Sequence, residues 1–163
     1  MGKYRVFIIT AALSLVIDQL SKLYIDSTFA LYESIAVIEN FFHITYVRNP
    51  GAAFGILSNS AVRIPFFISV SVLASIGILW YLRKVDAADL LQHFALGLIF
   101  SGAVGNLIDR ARLGEVIDFL DAHWYQHHWP AFNIADSAIC IGVAVMFLCT
   151  WQEERKKKRS RKN

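Results

Sequence analysis

Residues 101–137 read SGAVGNLIDRARLGEVIDFLDAHWYQHHWPAFNIADS. The stretch leaves one apolar segment, crosses a polar and aromatic connection and enters a second apolar segment. Along the way it carries Asn106, Asp109, Arg110, Asp118, Asp121, Asn133 and Asp136. Ionisable groups beside segments of membrane-spanning length are costly to keep, so they point to function. Several carboxylates in a low-dielectric setting also suggest acid–base chemistry, because their pKa values can be driven apart.

Outward from that stretch, the 163-residue chain fits one domain. It is 56% hydrophobic, against roughly 45–50% in an ordinary soluble domain. The excess gathers into four runs near spanning length, at about 6–25, 62–82, 94–110 and 134–151. The expected fold is a mainly α membrane protein with four transmembrane helices. The first run follows Lys3 and Arg5 as a secretory signal would, but it continues into Asp18, Gln19 and Lys22 without a small-x-small cleavage site and reads as a span. Gly97, Ser101 and Gly105 recur every four residues in the third run, and Ala138 and Gly142 repeat the spacing in the fourth. Such small-residue stripes let helices pack closely.

Residues 26–60 are too polar and too interrupted to span. Residues 35–38 and 41–47 contain β-branched and aromatic side chains, Phe42, Ile44 and Tyr46 alternate with His43, Thr45 and Val47, and the two stretches read as a short hairpin, followed by a turn at Arg48-Asn49-Pro50-Gly51. A small extracytoplasmic β-sheet is therefore expected, able to wall a groove for an extended peptide, with residues 52–57 dipping into the interface. Residues 111–132 read as an outer loop. Within it, residues 122–131 suggest a short interfacial helix or lid, and Trp124, Tyr125, Trp129 and Phe132 suit the membrane–water boundary.

The net charge of +3 is unevenly spread, since the tail at 152–163 holds seven basic residues. A nucleic-acid patch is one reading of such a run. Directly after an apolar segment, a cytoplasmic anchor against anionic lipid is the better one. With both ends inside, eleven basic residues lie on the inner side and four on the outer, which places the acidic stretch at the outer boundary. Cys140 and Cys149 are nine positions apart in one helix, face nearly opposite ways and cannot pair.

No serine-nucleophile or Walker motif is present. His123, His127 and His128 invite a zinc reading, but the glutamate of a zinc-protease helix is missing, and they read as interfacial histidines. The aspartates carry more. Asp136 falls in the first turn of the fourth helix, where the helix dipole favours its charge. Asp118 is set among Val116, Ile117, Phe119 and Leu120, an apolar setting that raises a carboxyl pKa. If the two meet, one holds the proton while the other activates water. Asp18 reads equally well as half of an i,i+4 pair with Lys22 or as support for a polar site. Spacing alone does not select the working pair from Asp18, Asp109, Asp118, Asp121 and Asp136. A non-catalytic adaptor or small transporter is the competing class.

The blocks Asp18-Gln19 with Lys22, Asn49-x-Gly51-Ala52-Ala53-Phe54, Gly105-Asn106-x-x-Asp109-Arg110, Gly114-x-Val116-x-Asp118-Phe119 and Phe132-Asn133-x-Ala135-Asp136-Ser137 occur in that order. In this the chain resembles the bacterial lipoprotein signal peptidases, the signal peptidase II family of aspartyl peptidases. The resemblance implies a catalytic dyad of Asp118 and Asp136, with Asp18, Asn49, Gly51, Asn106, Asp109, Arg110 and Asn133 binding substrate or bracing the site. It further implies prolipoprotein substrates cut just before a diacylglyceryl cysteine, and sensitivity to globomycin. The expected enzyme is monomeric, needs neither cofactor nor metal, has no nucleic-acid partner and contacts membrane lipids. It is expected in the bacterial inner membrane, with both termini cytoplasmic and its site at the outer leaflet.

Overall fold

The computed structural model describes residues 4–51, 62–125 and 127–160. Four helices follow the apolar runs: α1 (Arg5–Thr28), α2 (Arg63–Leu82), α3 (Leu90–Leu113) and α4 (Ile134–Ser160). Each is long and apolar enough to cross a bilayer. Their outward faces carry Leu13, Leu20, Val70, Leu73, Ile76, Val143 and Phe147, all exposed. The largest fully buried side chains are polar: Lys22, His93, Asn133, Asp18, Asp109, Asp118 and Ser101. That inversion suits a lipid surround, in which apolar side chains gain nothing by turning inward.

α3 is the central element and packs against α1, α2 and α4. Its small residues allow the approach. A Cβ added at Gly97 would lie 2.9 Å from the Phe7 carbonyl oxygen of α1, and one at Gly142 of α4 would lie 2.7 Å from the Ala95 carbonyl oxygen. The stripe read from the sequence therefore lies at helix contacts, and Ser101 and Ala138 within it are buried.

Several ends differ from the apolar runs because local capping sets them. α3 begins at Leu90 because the Asp89 carboxylate accepts the Gln92 N–H at 3.0 Å. It continues to Leu113 and stops at Gly114, whose left-handed φ of 72° is the usual helix-ending conformation for glycine. α4 runs nine residues past Trp151, because 152–160 contain good helix formers and place Glu153 and Glu154 four residues before Lys157 and Lys158.

The β layer is antiparallel. Strands β1 (Ser34–Ile38), β2 (Phe42–Asn49) and β3 (Val116–Trp124) form a three-strand sheet, and the two-residue β4 (His127–His128) folds back on β3. The hairpin expected from residues 35–47 is β1–β2. The segment at 52–57, expected to dip into the interface, lies outside the described residues. The short interfacial helix expected over 122–131 is corrected: none of its described residues is helical. The backbone there has partners that a helix would forfeit, since the His123 and Tyr125 N–H groups donate to the Phe41 and Asn40 carbonyls at 2.9 and 3.2 Å. Tyr125, at a φ of 51°, then turns the chain into β4. Aromatic residues on this half-exposed surface favour the pleated form.

One face of the sheet closes on the C-terminal end of α1. There Ile25, Tyr46, Ile117 and Phe119 form a buried cluster. The other face carries Asp118.

Candidate active site

Asp118 reaches its place because β3 exits α3 through Gly114 and pairs at once with β2, setting Val47 opposite Asp118 and Asn49 opposite Val116. Asp136 arrives from the other side, on the first turn of α4. There Asn133 and Asp136 cap each other: the Asp136 N–H donates to Asn133 Oδ1 at 2.9 Å, and the Asn133 N–H donates to Asp136 Oδ2 at 3.2 Å. This is the reciprocal arrangement of a capping box, with asparagine and aspartate in the two roles.

With its carbonyl oxygen turned to that cap, the Asn133 amide directs its NH2 at Asp118 Oδ1, 2.7 Å away. The same NH2 group faces the Ile117 carbonyl and Asn106 Oδ1, each at 3.2 Å. Asn133 is fully buried and joins both carboxyls. Asn49 donates to the other Asp118 oxygen at 2.8 Å, and its own carbonyl oxygen accepts the Gly51 N–H at 3.0 Å. Asn106 donates to Asp136 Oδ1 at 2.8 Å. Every oxygen of the two carboxyls therefore accepts one N–H.

Beneath this lies a buried ionic cluster. Lys22 Nζ is 3.0 Å from Asp18, 2.9 Å from Asp109 and 3.0 Å from Asn106 Oδ1. Because Lys22 and Asn133 both occupy the Asn106 carbonyl oxygen, the NH2 end is the one left to face Asp136. Asp18 also accepts the Ala135 N–H of α4 at 2.8 Å, and Gln19 spans Asp18, the Gly105 carbonyl and Asp109 at 3.1, 3.3 and 3.3 Å. Asp18 thus pairs with Lys22 and also ties α1 to the first turn of α4. Asp109 also accepts the Ile117 N–H at 3.3 Å, tying α3 to β3.

Asp118 and Asp136 line one cavity of about 590 Å³ together with Asn49, Gly51, Asn106 and Arg110. Arg110 stacks over the Phe67 ring, 4.8 Å from its centroid, and donates to the Gly51 carbonyl at 3.3 Å. The opposite wall is apolar, formed in part by Pro130, Phe132, Ile139 and Ile141. Burial pushes the Asp118 carboxyl up to about 7; the adjacent Asp136 charge adds to the rise, and the Asn49 and Asn133 donors oppose it. A carboxyl that holds its proton near neutrality beside a second carboxyl is suited to acid–base work on a bound amide.

Of the nine residues that the family resemblance points to, six line this cavity, and Asp18, Asp109 and Asn133 are buried behind them. Asp121 lies further along β3 and accepts from Thr45 at 3.0 Å. His123 stacks edge-on against His43, with ring centroids 4.5 Å apart. Lys22 is the residue whose part the sequence understated. Its i,i+4 spacing shows Asp18 but hides Asp109 and Asn106, which come from another helix.

The signal peptidase (SPase) II family model matches residues 10–152. The chain is 57% identical over 153 residues to a lipoprotein signal peptidase of Geobacter metallireducens, covering 94% of each. It is 56% identical over 154 residues to that of Geobacter sulfurreducens, covering 94% of this chain and 96% of the relative. A solved bacterial membrane enzyme is similar in fold, with a TM-score of 0.84 at 36% identity, covering 93% of this chain and 90% of its own.

Proposed function

The chain belongs to the signal peptidase II family, aspartic peptidases that remove signal peptides from prolipoproteins, and we propose that it does so with Asp118 and Asp136 as its two reacting carboxyls. The observation that carries this reading is the shared seating of the pair, with Asn133 bonded to both at one cavity and burial holding the Asp118 carboxyl near 7. One proton serves the two reacting groups. The ionised carboxyl takes a proton from water as the water oxygen attacks the scissile carbonyl carbon. The protonated carboxyl donates to the oxygen that gains charge. Collapse of the tetrahedral intermediate breaks the C–N bond, and the leaving amine takes up a proton from the pair.

The substrate carries a diacylglyceryl cysteine and is cut just before it. The apolar wall, to which α4 contributes Ile139 and Ile141, suits a substrate whose signal helix and acyl chains lie in the bilayer. The enzyme works as a monomer at the outer leaflet of the inner membrane, with both termini in the cytoplasm. Supporting that orientation, Arg83, Lys84 and the α4 extension lie at one end of the bundle and the exposed Trp124, Tyr125 and Trp129 at the other. Purified enzyme in detergent, given a precursor peptide with and without the diacylglyceryl group, tests the reading. Mass spectrometry is expected to find a new N-terminal cysteine from the lipidated peptide alone. Equal cleavage of the unlipidated peptide, or cleavage elsewhere, overturns the assigned specificity.

A further inference from the structure

Paired in unbroken register, β2 would present a different residue to Asp118. Ile44 lies opposite Leu120, Val47 opposite Asp118 and Asn49 opposite Val116. β2 therefore advances three residues while β3 advances two, which is a β-bulge. Directly opposed residues share a face of a sheet, as do alternate residues along a strand. The bulge thus brings Val47 and Asn49 onto the face of Asp118. Without it Tyr46 and Arg48 would occupy that face, and Asn49 would turn toward α1.

Tyr46 and Arg48 are held on the α1 side by a network that touches no cavity-lining group. The Tyr46 hydroxyl donates to Asp26 of α1. Arg48 Nε donates to that hydroxyl at 2.6 Å, and Nη2 reaches the same Asp26 oxygen at 2.7 Å. The guanidinium carbon also lies 5.5 Å from the Tyr46 ring centroid. The Tyr46 backbone is pinned as well: its N–H donates to the Glu33 carbonyl at 3.0 Å, and its carbonyl accepts the Tyr32 N–H at 2.9 Å. Tyr32 takes a left-handed φ of 68° to make that approach.

We infer that Asp26, Tyr46 and Arg48 form a register lock, positioning residues that hold the bulge in β2 so that Asn49 is the residue that meets Asp118. The inference rests on Asp118 being a reacting carboxyl. Its consequence is that residues on the far side of the sheet govern turnover through Asn49 alone.

The test is a double-mutant cycle in the lipidated-peptide assay. Arg48→Ala is expected to lower kcat by about a hundredfold, the cost of an approximately 1 Å misplacement at a reacting group, with KM nearly unchanged. Arg48→Lys keeps a charge for Asp26 but cannot fork to the tyrosine, so it should recover part of the loss. The Asn49→Ala/Arg48→Ala double variant should be no slower than Asn49→Ala. Arg48 and Asp26 side chains are partly exposed, at 22% and 31%, so folding should survive. Should Arg48→Ala fail to fold, Tyr46→Phe removes one oxygen and enters the same cycle. An unchanged kcat, or losses that multiply with that of Asn49→Ala, overturns the lock. An active Asp118→Asn variant would instead overturn the dyad beneath it.

Discussion

Asn133 shows how much of the site is fixed by the direction of amides. An asparagine side chain has an acceptor end and a donor end, and each one here has its acceptor end already engaged. Asn133 gives that end to the α4 cap, Asn49 to the Gly51 N–H and Asn106 to Lys22. Their NH2 groups are therefore committed to the two carboxyls. The types of residue needed were legible in the sequence, but the proposed pair was not. Asp118 and Asn49 are 69 positions apart and Lys22 and Asn106 are 84 apart, and local spacing carries no trace of such contacts. Family resemblance selected the pair where periodicity left five aspartates open. The pH dependence follows from the donors. In the proposed dyad Asp118 is the acid when protonated, so kcat/KM, which follows the free enzyme, should fall as pH rises through about 7. The groups facing it are Asn49, Asn133, Asp136, Arg110 and Lys22. Asn49 favours the charged form, so Asn49→Ala should move the alkaline limb of the kcat/KM profile to higher pH. A limb that stays put or moves down would sink this role for Asn49.

At the scale of elements, helices were legible wherever hydropathy decides and misread wherever long-range hydrogen bonding does. Four apolar runs gave four helices, and the four-residue stripes of small residues marked their contacts. The extra turns at the ends of α3 come from a cap at Asp89 and a left-handed Gly114, both present in the sequence but overshadowed by the apolar runs. The interfacial helix expected over 122–131 failed for a different cause. Its aromatic residues fit either a helix or a strand at a membrane boundary, and only the edge of β2 and the turn before it supply the backbone partners that choose. Close packing of α3 on α4 makes a quantitative prediction. Gly142→Leu places its first carbon against the Ala95 carbonyl and the Ile99 side chain, 2.7 and 2.6 Å away. It should cost about 1–3 kcal/mol by overpacking, read as a lower melting temperature in detergent, whereas Gly77→Leu, with nothing near its Cβ, should cost little. Equal losses at the two positions would contradict the packing described.

Across the whole molecule, an apolar exterior surrounds a polar seam running from Lys22 to the cavity. The seam is assembled from α1, β2, β3, α3 and α4, so no single segment contains a site. Its proposed orientation has a direct check in intact spheroplasts of a chain lacking Cys140 and Cys149. A cysteine at Glu39 should react with a membrane-impermeant maleimide, and one at Glu154 only after lysis. The reverse pattern would place the site on the cytoplasmic side. What the fold accomplishes as a unit is to bring the first turn of α4 and the middle of β3 to one cavity, with two carboxyls bridged by Asn133. The most direct measurement is the cleavage rate of a diacylglyceryl precursor peptide by Asp118→Asn and by Asp136→Asn, each confirmed as folded. Both variants should lose about 10³-fold or more. Processing at the parent rate by either one would contradict the account.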